Sequence, residues 1–232
     1  MKRWLWRWIW RSGLVLLGLL FIYQGWIFAQ VVWWTWFNPS SSSFMRQRLE
    51  VLQERNPNAK LSHKWIPYDK ISVNLKRALI AAEDANFMEH EGFDWDAIQK
   101  AYDKNLKKGK IVAGGSTISQ QLAKNLFLSG RRSPWRKAEE AIITVMIEAV
   151  MSKRRIFEIY LNIIEWGEGV FGAEAASQHY FKKNAAALNA WEAARLAAMV
   201  PKPRYYDRHR DTPWLERKTN LILERMPSAQ VP

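Results

Sequence analysis

The 232-residue chain contains no cysteine, which excludes disulfides and thiolate chemistry. An oxidising compartment is permitted by that absence, not required by it. Acidic residues are scarce beside basic ones, 22 against 35, giving a net charge of +13 and a pI near 10.0. A partner carrying negative charge is expected, and nucleic acid, anionic headgroups and a phosphorylated substrate all qualify. Strand-type alternation is rare, internal repeats are absent, and the only low-complexity stretch is the serine run 40–43. A nucleotide-binding P-loop is excluded too. The glycines of GGSTISQQLAKN, residues 114–125, lack both the four-residue spacing and the following Lys-Ser/Thr that a P-loop needs.

Charge is missing altogether from residue 12 to residue 45. Residues 13–34 of that run would form a helix about 33 Å long, enough to cross the hydrocarbon core of a bilayer. Lys2, Arg3, Arg7 and Arg11 precede it. Trp4, Trp6, Trp8 and Trp10 at one end, with Trp33, Trp34 and Trp36 at the other, resemble interfacial belts. The basic flank should stay in the cytoplasm, which places everything after residue 38 outside it. A cleaved signal peptide would have a shorter apolar region ending in a small-x-small site, and none is seen. The expected organisation is a basic flank (1–12), a transmembrane helix (13–36), a linker (37–43) and an outer domain (44–232). Apolar residues at three- and four-residue spacing predict helices over 75–87, 94–106, 117–128, 135–151, 154–165, 172–180 and 186–200. The outer domain is therefore expected to be mainly α.

Four polar clusters stand out against this helical frame. In EDANFMEHEGFD (83–94), Glu83 and Asp84 follow the apolar run ALIAA. A carboxylate among apolar neighbours is a candidate general base, because low dielectric tunes its pKa; a solvated acidic helix end is the plainer reading. In GGSTISQQLAKN, Ile118 and Leu122 should face inward, so Gln120 and Lys124 share a face beside several hydrogen-bonding groups, which suits a phosphate or a sugar. In RKAEE (136–140), Arg136 and Lys137 both reach Glu140 by helical spacing, as a simple structural ion pair also would. In KRRIFEIYLN (153–162), Lys153, Arg154 and Arg155 open a helix that carries Glu158 and Asn162 on one face. Cations at a helix start are disfavoured unless something compensates them.

These four segments, followed by GVFGAEAASQHYF (169–181), resemble the five ordered motifs of the peptidoglycan glycosyltransferases, over about residues 65–203. The short length and single amino-terminal span resemble the monofunctional biosynthetic transglycosylases. Phe157 stands where leucine is usual, Glu168 interrupts the Trp-Gly-x-Gly loop, and no transpeptidase domain follows Arg204. The resemblance implies a lysozyme-like α-helical domain with a small membrane-proximal lobe. It also implies polymerisation of lipid II by inverting transfer, with release of undecaprenyl pyrophosphate.

In that picture Glu83 is the base that deprotonates the acceptor sugar's 4-hydroxyl, and Glu140 is the second acid. Lys124, Arg136, Lys137 and Lys153 surround the pyrophosphate. Gly115, Ser116, Thr117, Gln120, Gln121 and Asn125 line the substrate path, with Gly114 and Gly115 letting the backbone approach it. Asp84, Glu158 and Asn162 are further candidate contacts, while Phe87, His90 and Gly92 are read as structural. A divalent cation, magnesium or manganese, is admissible at Glu140, and no organic cofactor is implied. Implied partners are lipid II, the lipid-linked glycan, the membrane, and other cell-wall synthesis or division proteins, but not nucleic acid. The implied location is the bacterial inner membrane, with the catalytic domain on its periplasmic face. Two rivals remain: a lytic hydrolase, which would need no pyrophosphate cradle, and a tethered polyanion-binding protein, whose charge would not be gathered beside acids.

Overall fold

The computed structural model describes residues 2–110, 114–130 and 133–232, without the side chains of residues 2–5, 7 and 9. The expected roles of Lys2, Arg3, Trp4 and Arg7 therefore lie outside the described side chains. Helix α1 (Lys2–Trp33) is unbroken, and its segment Trp10–Trp33 is long and apolar enough to cross a membrane. Most of it faces outward, but its last turns do not. Ile27 and Val31 are buried in the hydrophobic core, and Trp34 packs on Phe127 at 5.2 Å. The Tyr23 hydroxyl donates to Glu139 at 2.5 Å.

At the carboxyl end of α1 the backbone carbonyls lack helical partners and carry partial negative charge. Arg155 compensates them, donating to Trp34 O at 2.8 Å and to Phe37 O at 2.7 Å. The chain then enters α2 (Ser43–Gln53) inside the serine run itself. Ser42 is buried there as the N-cap, accepting from Met45 N.

The rest of the chain is a helical body whose starts follow capping chemistry. Serine caps α3 (Val73–Glu83), α6 (Pro134–Val150) and α7 (Lys153–Ile163). Aspartate caps α4 (Trp95–Lys108), threonine caps α5 (Ile118–Phe127) and asparagine caps α9 (Ala190–Met199). Helix α8 (Ala173–Phe181) opens at Gly172, and α10 (Pro203–Arg208) opens on proline. A capping threonine followed by proline starts α11 (Pro213–Arg225).

The core is built by α3, α5, α7, α9 and α11, with Leu75, Leu79, Leu122, Tyr160, Leu196 and Leu215 fully buried. A small sheet runs in the order β1 (Ser62–His63), β3 (Val170–Phe171), β2 (Glu165–Gly167), parallel then antiparallel. It is pinned at Gly172, which has φ +81; a Cβ there would lie 2.7 Å from the Asn162 carbonyl oxygen. Phe157, the departure from leucine, is accommodated between Phe87 and Tyr68.

The predicted helices all occur, displaced by a few residues at their ends. The expected helix over 75–87 stops at Glu83, and the one over 186–200 begins only at Ala190 after a 3-10 turn. Helices α2, α10 and α11 were not anticipated. The tail after Arg204 is part of the core, with Leu215, Thr219 and Ile222 buried against the rest of the body.

Candidate active-site cleft

Glu83 is the last residue of α3, and the helix stops there because Asp84 leaves helical geometry at φ −162. Asp84 is buried, and both its oxygens are occupied. Oδ2 accepts from Ile118 N, the first amide of α5, at 2.8 Å, and Oδ1 accepts from His90 Nε2 at 2.9 Å. Gly92 N donates to His90 Nδ1, which leaves Nε2–H as the proton that faces Asp84. Asp84 thereby fastens the end of α3 to the start of α5.

The consequence is that Gln121 lies opposite Glu83. Its amide nitrogen donates to Glu83 Oε2 at 2.9 Å, and its amide oxygen accepts from the buried Tyr160 hydroxyl at 3.0 Å. An ionised carboxylate can only accept, so the amide must present nitrogen to Glu83 and oxygen to Tyr160. Burial raises the pKa of Glu83. The Gln121 hydrogen bond opposes the rise, as do the charges of Lys218 and Lys124. Because the folded pKa exceeds the ordinary 4.5, the folded state holds its proton longer than the unfolded chain. This group's contribution to stability is therefore full below 4.5 and is lost as pH rises through the folded value. The protein spends stability to keep a basic carboxylate here. Burial likewise keeps the Tyr160 hydroxyl neutral, so it remains a donor.

Two cavities meet at this point. The smaller, about 210 Å³, is lined by Glu83, Asp84, Asn86 and the 114–117 segment. The larger, about 630 Å³, is lined by Gln120, Gln121, Lys124, Ser133, Arg136, Lys137 and Glu140, and Ser116 belongs to both. Glu140, only 3% exposed, accepts from Arg136 at 2.7 Å and also pairs with Lys137. Arg136 Nε is buried without a partner and Lys124 makes no ion pair among the described residues, so two cationic groups of this wall retain unspent donors. Burial lowers the pKa of Lys124, and Glu140 partly restores it. Such a wall is built to take an anion.

Several expected contacts have other duties. Thr117 and Gln120 form a reciprocal capping box at the start of α5, and the Thr117 hydroxyl also donates to Gly92 O at 2.7 Å. Gly115 is required by packing: a Cβ there would sit 2.8 Å from the Ile98 Cα of α4. Asn125 donates to Gln121 O at 2.7 Å and holds that turn of α5. The Lys153 ammonium is consumed by Glu148 at 2.8 Å and by the His90 carbonyl, behind the cleft wall. Glu158 pairs with Arg155 and accepts from Tyr68 N. Asn162 is fully buried, bracing Ile66 N and Ile66 O at 2.9 and 3.0 Å. Lys153, Glu158 and Asn162 thus lie outside the cleft, and the cations that open α7 are compensated by protein groups. Phe87, His90 and Gly92 are structural, as expected.

Among the described residues no three His, Asp or Glu groups converge, so the protein alone forms no cage for a divalent cation, and Glu140 has a cationic partner on each oxygen. Sequence reasoning did not single out Lys218, on α11, whose charge helps to oppose the rise in the Glu83 pKa. Its helix is announced by Thr212-Pro213, the same kind of start as Ser133-Pro134.

Comparison with known proteins gives a consistent picture. The family model described as Transglycosylase matches residues 49–227. The chain is 65% identical over 226 residues to a protein of Nitrosospira multiformis named biosynthetic peptidoglycan transglycosylase, covering 97% of this chain and 98% of that protein. Relatives of the same name from Methylobacillus flagellatus and Laribacter hongkongensis are 65% and 61% identical over 223 and 226 residues. These alignments cover 96% and 97% of this chain, and 97% and 99% of the relatives.

Proposed function

The chain belongs to the transglycosylase family, and from that premise we propose how its cleft performs the reaction. Its activity is that of a peptidoglycan transglycosylase, polymerising the glycan strands of peptidoglycan, and the one membrane-length apolar helix among the described residues suggests a single-pass membrane anchor. The finer reading concerns residues, substrate form and orientation. Glu83 takes the proton from the 4-hydroxyl of an incoming lipid II. That oxygen bonds to the donor's anomeric carbon as the carbon–pyrophosphate bond breaks on the opposite face, so the configuration inverts. The electron pair leaves with undecaprenyl pyrophosphate.

The leaving group is already stable, and no strong general acid is required, unlike hydrolysis of an ordinary glycoside. Lys124, Arg136 and Lys137 meet the charge that grows on it. Glu140 keeps Arg136 and Lys137 in place on the same cavity wall as Lys124. The observation that carries this reading is that Glu83, half-buried at the end of α3, lines a cavity that shares Ser116 with the cavity of the cationic wall. The basic amino terminus supports a cytoplasmic flank, with the catalytic domain on the periplasmic face of the inner membrane.

The proposed base can be tested through its hydrogen-bond relay. Activity must rise with pH as Glu83 ionises, and that limb should lie above the ordinary carboxylate range because the folded pKa is raised. In Tyr160→Phe the ring stays but the Gln121 amide loses the donor that fixes its orientation. Once free to turn its oxygen toward Glu83, it favours the protonated acid. The acidic limb of kcat/KM should move to higher pH, with turnover at high pH largely retained. A limb that stays in place in both Tyr160→Phe and Gln121→Leu would detach Glu83 from the pH dependence.

A further inference from the structure

A third cavity, about 360 Å³, opens where α9 passes into α10 and α11, and none of the proposed chemistry uses it. It is lined by Pro201, Lys202, Tyr205, Tyr206, Thr212 and Trp214. Tyr206 is buried and stacks behind Trp214, with centroids 5.4 Å apart and planes within 5°. Tyr205 is edge-on to Tyr206 and stacked on His209. The inner ring thus fixes the outer two, yet Trp214 and Tyr205 remain 45% and 49% exposed. The burial that anchors the start of α11 is supplied next door by Leu215. Held aromatic faces offer contact area at little entropic cost.

The position of this cavity indicates its occupant. Between it and the cleft lies a further cavity of about 180 Å³, whose walls include Gln121 and Lys124 from the cleft and Pro201 from the aromatic site. The three cavities thus follow one another through shared walls, Lys124 between the cleft and the small cavity and Pro201 between the small cavity and the aromatic site. A pyrophosphate would want several cations there, and only Lys202 is present. A polyprenyl chain would want aliphatic walls free of hydroxyl and ammonium groups. Sugar rings present C–H faces to the electron-rich ring faces, while their hydroxyl and amide groups can reach the tyrosine hydroxyls and Lys202.

We propose, on the polymerase reading given above, that this aromatic cavity is a holding site for the saccharide of the growing glycan strand. A strand held at two places stays near the cleft after each addition, which raises the effective concentration of its lipid-linked end. The site therefore acts on the number of additions per encounter, not on the chemical step.

The full-length protein in detergent micelles tests this with two readouts. Product length from lipid II is compared for wild type, Trp214→Ala, Trp214→Phe and Tyr205→Ala. Saturation-transfer NMR with a lipid-free β-1,4-linked N-acetylglucosamine hexasaccharide reports direct contact. Both alanine variants should give strands several-fold shorter while the initial rate of lipid II consumption holds, and Trp214→Phe should restore much of the length. Transfer to the hexasaccharide should weaken with Trp214→Ala. If Trp214→Ala loses helix, Tyr205→Ala, which removes an exposed ring, decides alone. Wild-type strand length in the folded alanine variants with undiminished transfer would overturn the holding site. A wild-type protein that makes no polymer would instead overturn the reading on which it rests.

Discussion

Glu83→Gln is expected to lower turnover by roughly 10²–10⁴-fold, the loss typical of a removed acid–base group. The substitution keeps the shape of the side chain and an oxygen to accept from Gln121, so the relay to Tyr160 can persist. Only the proton acceptor is lost. Donor binding should therefore survive, because the cationic wall around Lys124 and Arg136 is untouched. Stability supplies an independent check. Ionised Glu83 weakens the fold as pH rises above 4.5, so the neutral amide should be at least as stable as wild type at neutral pH. Calorimetry beside a lipid II turnover assay separates the two effects. A folded variant with near-normal turnover would remove Glu83 from the chemistry.

Lys124→Ala should produce the second large loss, about 10²–10³-fold in turnover, the scale seen when a preorganised stabiliser of transition-state charge is deleted. Arg136 and Lys137 are held by Glu140, whereas the Lys124 ammonium has no ion pair among the described residues and lines the same cavity. Its interaction strengthens as charge builds on the departing pyrophosphate, so kcat should fall more than affinity for lipid II. Lys153→Ala provides the contrast. It would leave Glu148 buried without its cation, so the damage should appear in thermal stability before it appears in catalysis. Equal losses of turnover for both variants, at equal stability, would mean that the cleft has been drawn with the wrong boundary.

The helical character of the body was readable because its periodic apolar faces and hydroxyl caps are local signals. Ile118 and Leu122 point inward as their spacing requires, and the Arg136–Glu140 and Lys137–Glu140 pairs form at their helical separations. What sequence could not separate was contact with substrate from support of the wall. Asn162 lies in a motif segment and is polar, yet the groups it braces belong to Ile66, far away in the chain. Lys153 likewise finds Glu148 and His90 only after α6 and α7 have packed. The need for glycine at 115 arises from the approach of α4, which no local pattern announces. Lys218 was overlooked for the opposite reason. Its helix start was visible at Thr212-Pro213, but the charge acts on Glu83 across the fold.

The central claim is that a half-buried base and a cationic wall serve an activated, pyrophosphate-linked donor. The most direct measurement offers the purified full-length protein two substrates separately, lipid II and mature lipid-free glycan, and analyses the products by size. The account predicts β-linked polymer from lipid II and no cleavage of the lipid-free strand, because that strand carries no pyrophosphate for Lys124, Arg136 and Lys137 to stabilise as it leaves. Clear cleavage of lipid-free glycan with no polymer from lipid II would contradict it and make the cleft that of a lytic enzyme.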